Sequence, residues 1–274
     1  MVEWKNIYRG LAMGTSDVIP GVSGGTIAVV LGIYDRLIAA ISGIFSKEWK
    51  KHLGFLIPLG VGVVGALLLF SHLIDWLLAN YPQPTNFFFL GLIIGVLPFL
   101  LKKAEVKKNF RTGHYFMFVV AAILCASLVF FKPDEAAAIL DSLSMSTIFI
   151  LFFSGWLASM AMLLPGISGS FVLLIIGIYP SFIAALKDLN IPVLMVIGSG
   201  IVVGLIVSSK LIRYSLEHFP SMTYAAIIGL VIGSTVVIFP GFASDMTLLL
   251  LSIGSFALGL AAAVGLGAYE YKEV

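Results

Sequence analysis

The sequence predicts an all-α integral membrane protein built from two homologous halves that cross the bilayer in opposite senses. Three observations carry that prediction. Hydrophobic residues make up 60% of the chain and charged residues 11%, and the mean hydropathy is +1.09, which excludes an ordinary soluble domain. Residues 142–186, 191–209, 219–244 and 246–269 hold no charged side chain, and apolar runs of that length are membrane spans. Finally, one 22-residue motif occurs twice. Residues 20–41 read PGVSGGTIAVVLGIYDRLIAAI and residues 165–186 read PGISGSFVLLIIGIYPSFIAAL, with ten of 22 positions identical at an offset of 145.

The first half, residues 1–131, opens on MVEWKNIYRG. This start lacks the apolar core and small-residue cleavage site of a signal peptide, so it is expected to be retained. A short arm then leads to the break at Pro20–Gly21, and the motif reads as a broken helical hairpin, taken here as re-entrant. Three apolar segments follow at about 53–79, 86–101 and 114–131. The polar stretch KPDEAAAILDS, 132–142, links to the second half, 143–274, where an arm at 146–164 precedes the second Pro-Gly break. Its apolar segments fall at about 192–216, 222–239 and 246–268. The duplication continues at an offset of 138, where 60–82 aligns with 198–220 and 90–95 with 228–233. Residues 1–274 therefore read as one membrane domain.

A re-entrant hairpin returns to its own side and three spans then cross, so the second half is inverted relative to the first. Arms that span fully give the same parity. Charge supplies an independent test. With both termini inside, fourteen of the sixteen Lys and Arg residues face the cytoplasm and only Lys132 and Lys187 face out, as the positive-inside rule requires. Trp4, Trp49, Trp76 and Tyr81 fall near the expected interfaces. Gly91/Gly95, Gly229/Gly233 and Gly200/Gly204 are GxxxG pairs expected to let helices of one chain pack closely.

The repeated break carries the candidate chemistry. Proline lacks an N–H and glycine tolerates a sharp reversal, so Pro20–Gly21 and Pro165–Gly166 end one helix inside the membrane. Ser23 and Ser168 then stand at the N-cap of the next, which begins at Gly24–Gly25 and Gly169–Ser170. The first turn of a helix leaves N–H groups unpaired at the positive end of its dipole. Hydroxyls of Ser23, Thr26, Ser168 and Ser170 add donors. Such a tip suits an anion, a phosphate in particular, without a buried lysine. The plain alternative is a Pro-Gly kink whose freed carbonyls the serines satisfy; retention of Pro, Gly, Ser and Gly in both halves favours a site.

Asp17, three residues before Pro20, stands in an otherwise apolar arm, and its counterpart in the second half is Met162. A carboxylate there is costly and usually functional. It could take a coupling proton or sodium ion, orient the hairpin, cap it, or pair with Arg9. Arg9 is a second coupling or gating candidate, with snorkelling to the headgroups as its plain reading. The single Cys125 and four scattered histidines give no disulfide, metal or cofactor pattern.

DVIPGVSGGTIAVVLGIYDRLI, together with LLPGISGSFVLLIIGIYPSFI, resembles the prokaryotic membrane family long labelled domain-of-unknown-function 368. The resemblance covers essentially the whole chain. It implies a carrier of undecaprenyl phosphate or a similar polyprenyl phosphate, moving it from the outer to the inner leaflet of the cytoplasmic membrane for reuse in cell-wall synthesis. Two readings compete. Membrane undecaprenyl-pyrophosphate phosphatases also carry inverted repeats and a similar loop, but Gly169 stands where they place Arg, and no Glu or His adjoins either motif. Cleavage needs a placed acid, base or charge clamp. A small-ion carrier using Asp17 and the hairpin carbonyls is the third reading.

Overall fold

A computed structural model describes residues 2–17, 22–131, 144–242 and 245–270. These residues form thirteen α-helices and no strand. The first hairpin comprises α1 (Asn6–Asp17), α2 (Gly24–Val30) and α3 (Tyr34–Ser42), and leads into α4 (Trp49–Asn80), α5 (Pro82–Lys103), the short α6 (Val106–Asn109) and α7 (Thr112–Ser127). The second comprises α8 (Met145–Leu163), α9 (Gly169–Ile176) and α10 (Tyr179–Lys187), followed by α11 (Ile191–His218), α12 (Pro220–Ile238) and α13 (Met246–Glu270). All six apolar segments expected after the two hairpins are helices. The linker 132–142 and the break Val18–Gly21 lie outside the described residues.

Seven helical segments (α4, α5, α7 together with the 3₁₀ turn Leu128–Phe130 that continues it, α8, α11, α12 and α13) are long and apolar enough to cross a bilayer. The two hairpin arms differ. The 12 residues of α1 reach about 18 Å, short of a hydrocarbon core of about 30 Å, whereas the 19 residues of α8 reach about 28 Å. Neither α9 nor α10 could span alone, and they meet at 108°. The turn is made by Gly177 at φ +81, matched in the first hairpin by Gly32 at φ +66. Both belong to the repeated Gly-Ile-Tyr, and a side chain there would be strained.

The equivalences run down to backbone angles. The helix pairs α4/α5 and α11/α12 are each hinged at one aromatic residue before a proline, Tyr81 at φ −134, ψ 53 and Phe219 at φ −133, ψ 52. Packing repeats as well. Within each half the first arm lies along the first long helix, α1 on α4 and α8 on α11. The remaining helices exchange between halves, α5 packing on α13 and α12 on α7. The GxxxG pairs set these approaches: a Cβ on Gly95 would lie 2.7 Å from that of Ala263 on α13, and one on Gly233 2.7 Å from that of Cys125 on α7. Small residues let the helix backbones meet, and dispersion contacts replace a hydrophobic drive that lipid does not supply.

Pro58 interrupts α4 and leaves the Gly54 carbonyl without its helical donor. Glu3 N–H fills that place at 3.0 Å, and Asn6 Nδ2 donates to the neighbouring Phe55 carbonyl at 3.1 Å. The N-terminal segment is thereby tied to the break in α4. The main core joins the first hairpin to α4, α5 and α12 and takes in Leu163 at the end of α8, whereas α9 and α10 share a smaller core with α8 and α11.

Candidate functional site

The two breaks lie against each other. Gly166 N–H donates to Thr26 Oγ1 at 2.8 Å, and the Tyr34 hydroxyl donates to the Leu163 carbonyl at 3.1 Å. Ser23 Oγ stands 3.4 Å from the carbonyl oxygens of both Met162 and Leu164. The last carbonyls of α8, orphaned where that helix stops, thus find donors on the first hairpin. Ser23 (1% exposed), Thr26 (1%) and Tyr34 (2%) are all buried in this seam, so the first hairpin braces the break in the second. Tyr34 stands in the repeated motif, yet its spacing alone did not reveal this role. Its hydroxyl acts 129 residues away in sequence.

The tips themselves differ. At the start of α2 every early amide is satisfied from within: Gly24 N–H donates to Asp17 Oδ1 at 2.6 Å and Gly25 N–H to Ser23 Oγ at 3.1 Å. Thr26 and Ile27 N–H both reach the Ser23 carbonyl, at 2.8 and 3.3 Å. The carboxylate of Asp17 therefore stands where an external anion would sit. A Cβ on Gly24 would be 2.7 Å from Asp17 Oδ2, so the close approach depends on glycine.

At the start of α9 only Val172 N–H is paired, with the Ser168 carbonyl at 3.1 Å. The N–H groups of Gly169, Ser170 and Phe171 have no acceptor among the described residues. Ser168 occupies the N-cap position, but its hydroxyl makes no capping bond and instead lies 2.8 Å from Ser170 Oγ. Ser168 and Gly169 are buried and Ser170 is exposed, so this edge of the tip is open. Met162, the counterpart of Asp17, brings no charge to it. Three unpaired amides and a hydroxyl pair at a helix N-terminus form a donor set for an oxyanion.

Of the other expected residues, Gly21 lies outside the described residues. Gly166 sits at φ +91 with its N–H on Thr26 and its carbonyl accepting from Cys125 Sγ at 3.5 Å. Arg9 is buried at the other end of α1, where its guanidinium donates to Asn6 Oδ1 at 2.9 Å. Eight residues of helix put it about 12 Å from Asp17 along the axis. One cluster escaped the sequence reading. Asp35, at the start of α3, pairs with Lys103 of α5 at 2.7 Å and accepts from the Tyr224 hydroxyl of α12 at 2.9 Å. Lys103, the last residue of α5, thus joins a clasp that holds the first hairpin to two helices.

The chain is 44% identical over 272 residues to a protein of Staphylococcus aureus (strain NCTC 8325 / PS 47) named polyprenyl-phosphate transporter, covering 97% of this chain and 96% of that one. It is 36% identical over 245 residues to a Vibrio cholerae serotype O1 (strain ATCC 39315 / El Tor Inaba N16961) protein of the same name, covering 85% of this chain and 76% of that one. Both names denote transporters and not enzymes. No solved structure matches the chain. The family described as undecaprenyl phosphate translocase-like matches residues 13–254. With seven helices fit to cross a bilayer and relatives alike over most of their length, the protein belongs to the undecaprenyl phosphate translocase-like family.

Proposed function

We propose that this protein carries undecaprenyl phosphate, or a similar polyprenyl phosphate, from the outer to the inner leaflet of the cytoplasmic membrane. The phosphate is held at the α9 tip by the amides of Gly169, Ser170 and Phe171 and the hydroxyls of Ser168 and Ser170. The observation that carries this reading is the unpaired state of those three amides beside a hydroxyl pair. In a membrane an orphaned amide costs free energy, and an arriving phosphate oxygen recovers it. The site offers neutral donors only, so the headgroup is held by hydrogen bonds and a helix dipole, which release it more readily than a buried Arg would. The names of both relatives support the lipid class.

Residues Ser23, Gly24, Gly25, Thr26 and Gly166 serve this site as its brace, holding the end of α8 in place. Asp17 fills the first tip and is the group to which a coupling proton or sodium ion would bind, because neutralising it would weaken its charge-assisted hold on the Gly24 amide. The two halves act as inverted repeats within one membrane domain, with both termini cytoplasmic. That orientation is supported by the fourteen-to-two division of Lys and Arg.

The test is reconstitution into liposomes with labelled undecaprenyl phosphate confined to one leaflet. Protein-dependent leaflet exchange without release of inorganic phosphate is the expected result. Phosphate release would replace transport with hydrolysis, and ion flux indifferent to the lipid would replace it with ion conduction.

A further inference from the structure

The 22 residues of α5 rise about 33 Å, so its last turn, with Lys102 and Lys103, stands at the headgroup level. The two lysines have different surroundings. Lys103 pairs with Asp35 at 2.7 Å, whereas Lys102 makes no ion pair among the described residues. The chain then reverses. Ala104 is buried, and Glu105 takes the left-handed backbone at φ 45, ψ 45, which few residues other than glycine adopt. The reversal folds α6 back beside the end of α5. Just beyond it the Phe110 and Tyr115 rings pack edge to face, 5.7 Å between centroids, and Tyr115 is exposed. Amphipathic aromatics take such places where hydrocarbon meets headgroups.

Between α5 and α6 lies a groove of about 580 Å³, a size typical of small-ligand sites. Its wall is apolar, made by Pro98 and Leu101, both exposed, and by the half-buried Val106, which packs on the main core. Lys102, Lys107 and Lys108 complete the lining. Lys107, like Lys102, makes no ion pair among the described residues. Lys108 reaches only Glu105, at 3.9 Å with both side chains exposed, a pair that contributes little. Three ammonium groups against one carboxylate leave the groove at +2. At the offset of 138 the equivalents of Lys102 and Lys103 are Pro240 and Gly241, so the second half repeats neither cation. The plain reading is a solvated basic loop that obeys the positive-inside rule. That accounts for the charge but not for the apolar wall beside it. A second copy of the chain would bring the same positive charge, and a soluble acidic protein would not reach a wall at the edge of the hydrocarbon.

We propose that this groove binds one anionic phospholipid of the leaflet at which α5 ends. Its phosphate lies on Lys102, Lys107 and Lys108, and an acyl chain starts along Pro98, Leu101 and Val106. A lipid seated there holds the end of α5 one residue from Lys103, and so steadies the clasp on Asp35 and Tyr224. Each lysine close to anionic lipid contributes about fivefold in affinity. The groove is separate from the α9 tip, and its occupancy does not depend on which lipid the protein carries.

The experiment is native mass spectrometry of protein released from nanodiscs that hold phosphatidylglycerol and phosphatidylcholine with the same acyl chains. The wild type should retain one phosphatidylglycerol in preference to phosphatidylcholine. Lys102→Gln, Lys107→Gln and Lys108→Gln together should weaken that retention on the order of 100-fold. Leu101→Gln keeps every charge and should weaken it several-fold through the lost apolar wall. The control removes as much charge elsewhere on the basic side, by Lys47→Gln, Lys50→Gln and Lys51→Gln, and should retain the lipid. In phosphatidylcholine alone all variants should melt as the wild type does, and only the groove variants should lose the rise in melting temperature that phosphatidylglycerol brings. An equal loss in the control would make the attraction diffuse, and full retention by the groove variants would place the lipid elsewhere. Equal retention of phosphatidylcholine would remove the charge recognition. Displacement by glycerol phosphate, or by undecaprenyl phosphate at the same concentration, would assign the groove to a free phosphate or to the carried lipid. Each of these results overturns the proposal.

Discussion

Replacing both Ser168 and Ser170 by alanine should weaken headgroup binding by much less than two independent hydrogen bonds. The two hydroxyls lie 2.8 Å apart and bond to each other, so one of their two protons is already engaged and one is left to point outward. A hydrogen bond to a charged group contributes about 1.5–3 kcal/mol. The double variant should therefore bind polyprenyl phosphate about 10- to 150-fold more weakly, with the three amides still holding it. Either single variant frees the other hydroxyl from its neighbour, so each alone should cost less than half of the double effect in free energy. The measurement is competition for a fluorescent polyprenyl phosphate on nanodisc-bound protein, with leaflet exchange in parallel. Ser23→Ala is the internal control, since its hydroxyl caps Gly25 and faces the end of α8. It should lower stability by about 1 kcal/mol and leave affinity nearly unchanged. Wild-type affinity in the double alanine variant, or a larger loss from Ser23→Ala than from the pair, would refute placing the phosphate at the α9 tip.

Thr26→Val keeps the shape of a fully buried side chain but strands the Gly166 N–H, so stability should fall by about 1–2 kcal/mol, roughly 2–8 °C in melting temperature. Thr26→Ser should melt near the wild type. Asp17→Asn retains an oxygen for the Gly24 amide and should fold, but its transport should no longer respond to an imposed proton or sodium gradient; a response equal to wild type would exclude Asp17 as the coupling group. Gly95→Leu would force α5 off Ala263 and Leu260 on α13 and cost about 1–3 kcal/mol or more, seen as lost abundance and a lower melting temperature. Gly198→Leu, where a Cβ meets nothing within 4 Å, should show neither effect.

Much of the architecture was legible in the chain because the bilayer imposes simple rules. Every apolar segment expected after the hairpins is a helix, since a backbone in lipid has no other way to pair its amides. The GxxxG pairs do lie at close helix approaches, because only residues without bulk permit them. Ser23 and Ser168 do stand at N-caps, as their place after Pro-Gly implied.

The sequence by itself determined that two equivalent breaks exist and where they fall. It presented them as a matched pair, because repeat identity is blind to packing. Only the tertiary structure decided that they are unlike. A hydrogen bond depends on which groups lie within about 3 Å in space, and the partners of Thr26, Tyr34 and Ser23 lie 129 to 141 residues away. The same proximity puts the Asp17 carboxylate on the first tip, while Met162 leaves the second with three unpaired amides. One tip is filled and the other open because the first hairpin packs against the opposite half and the second does not.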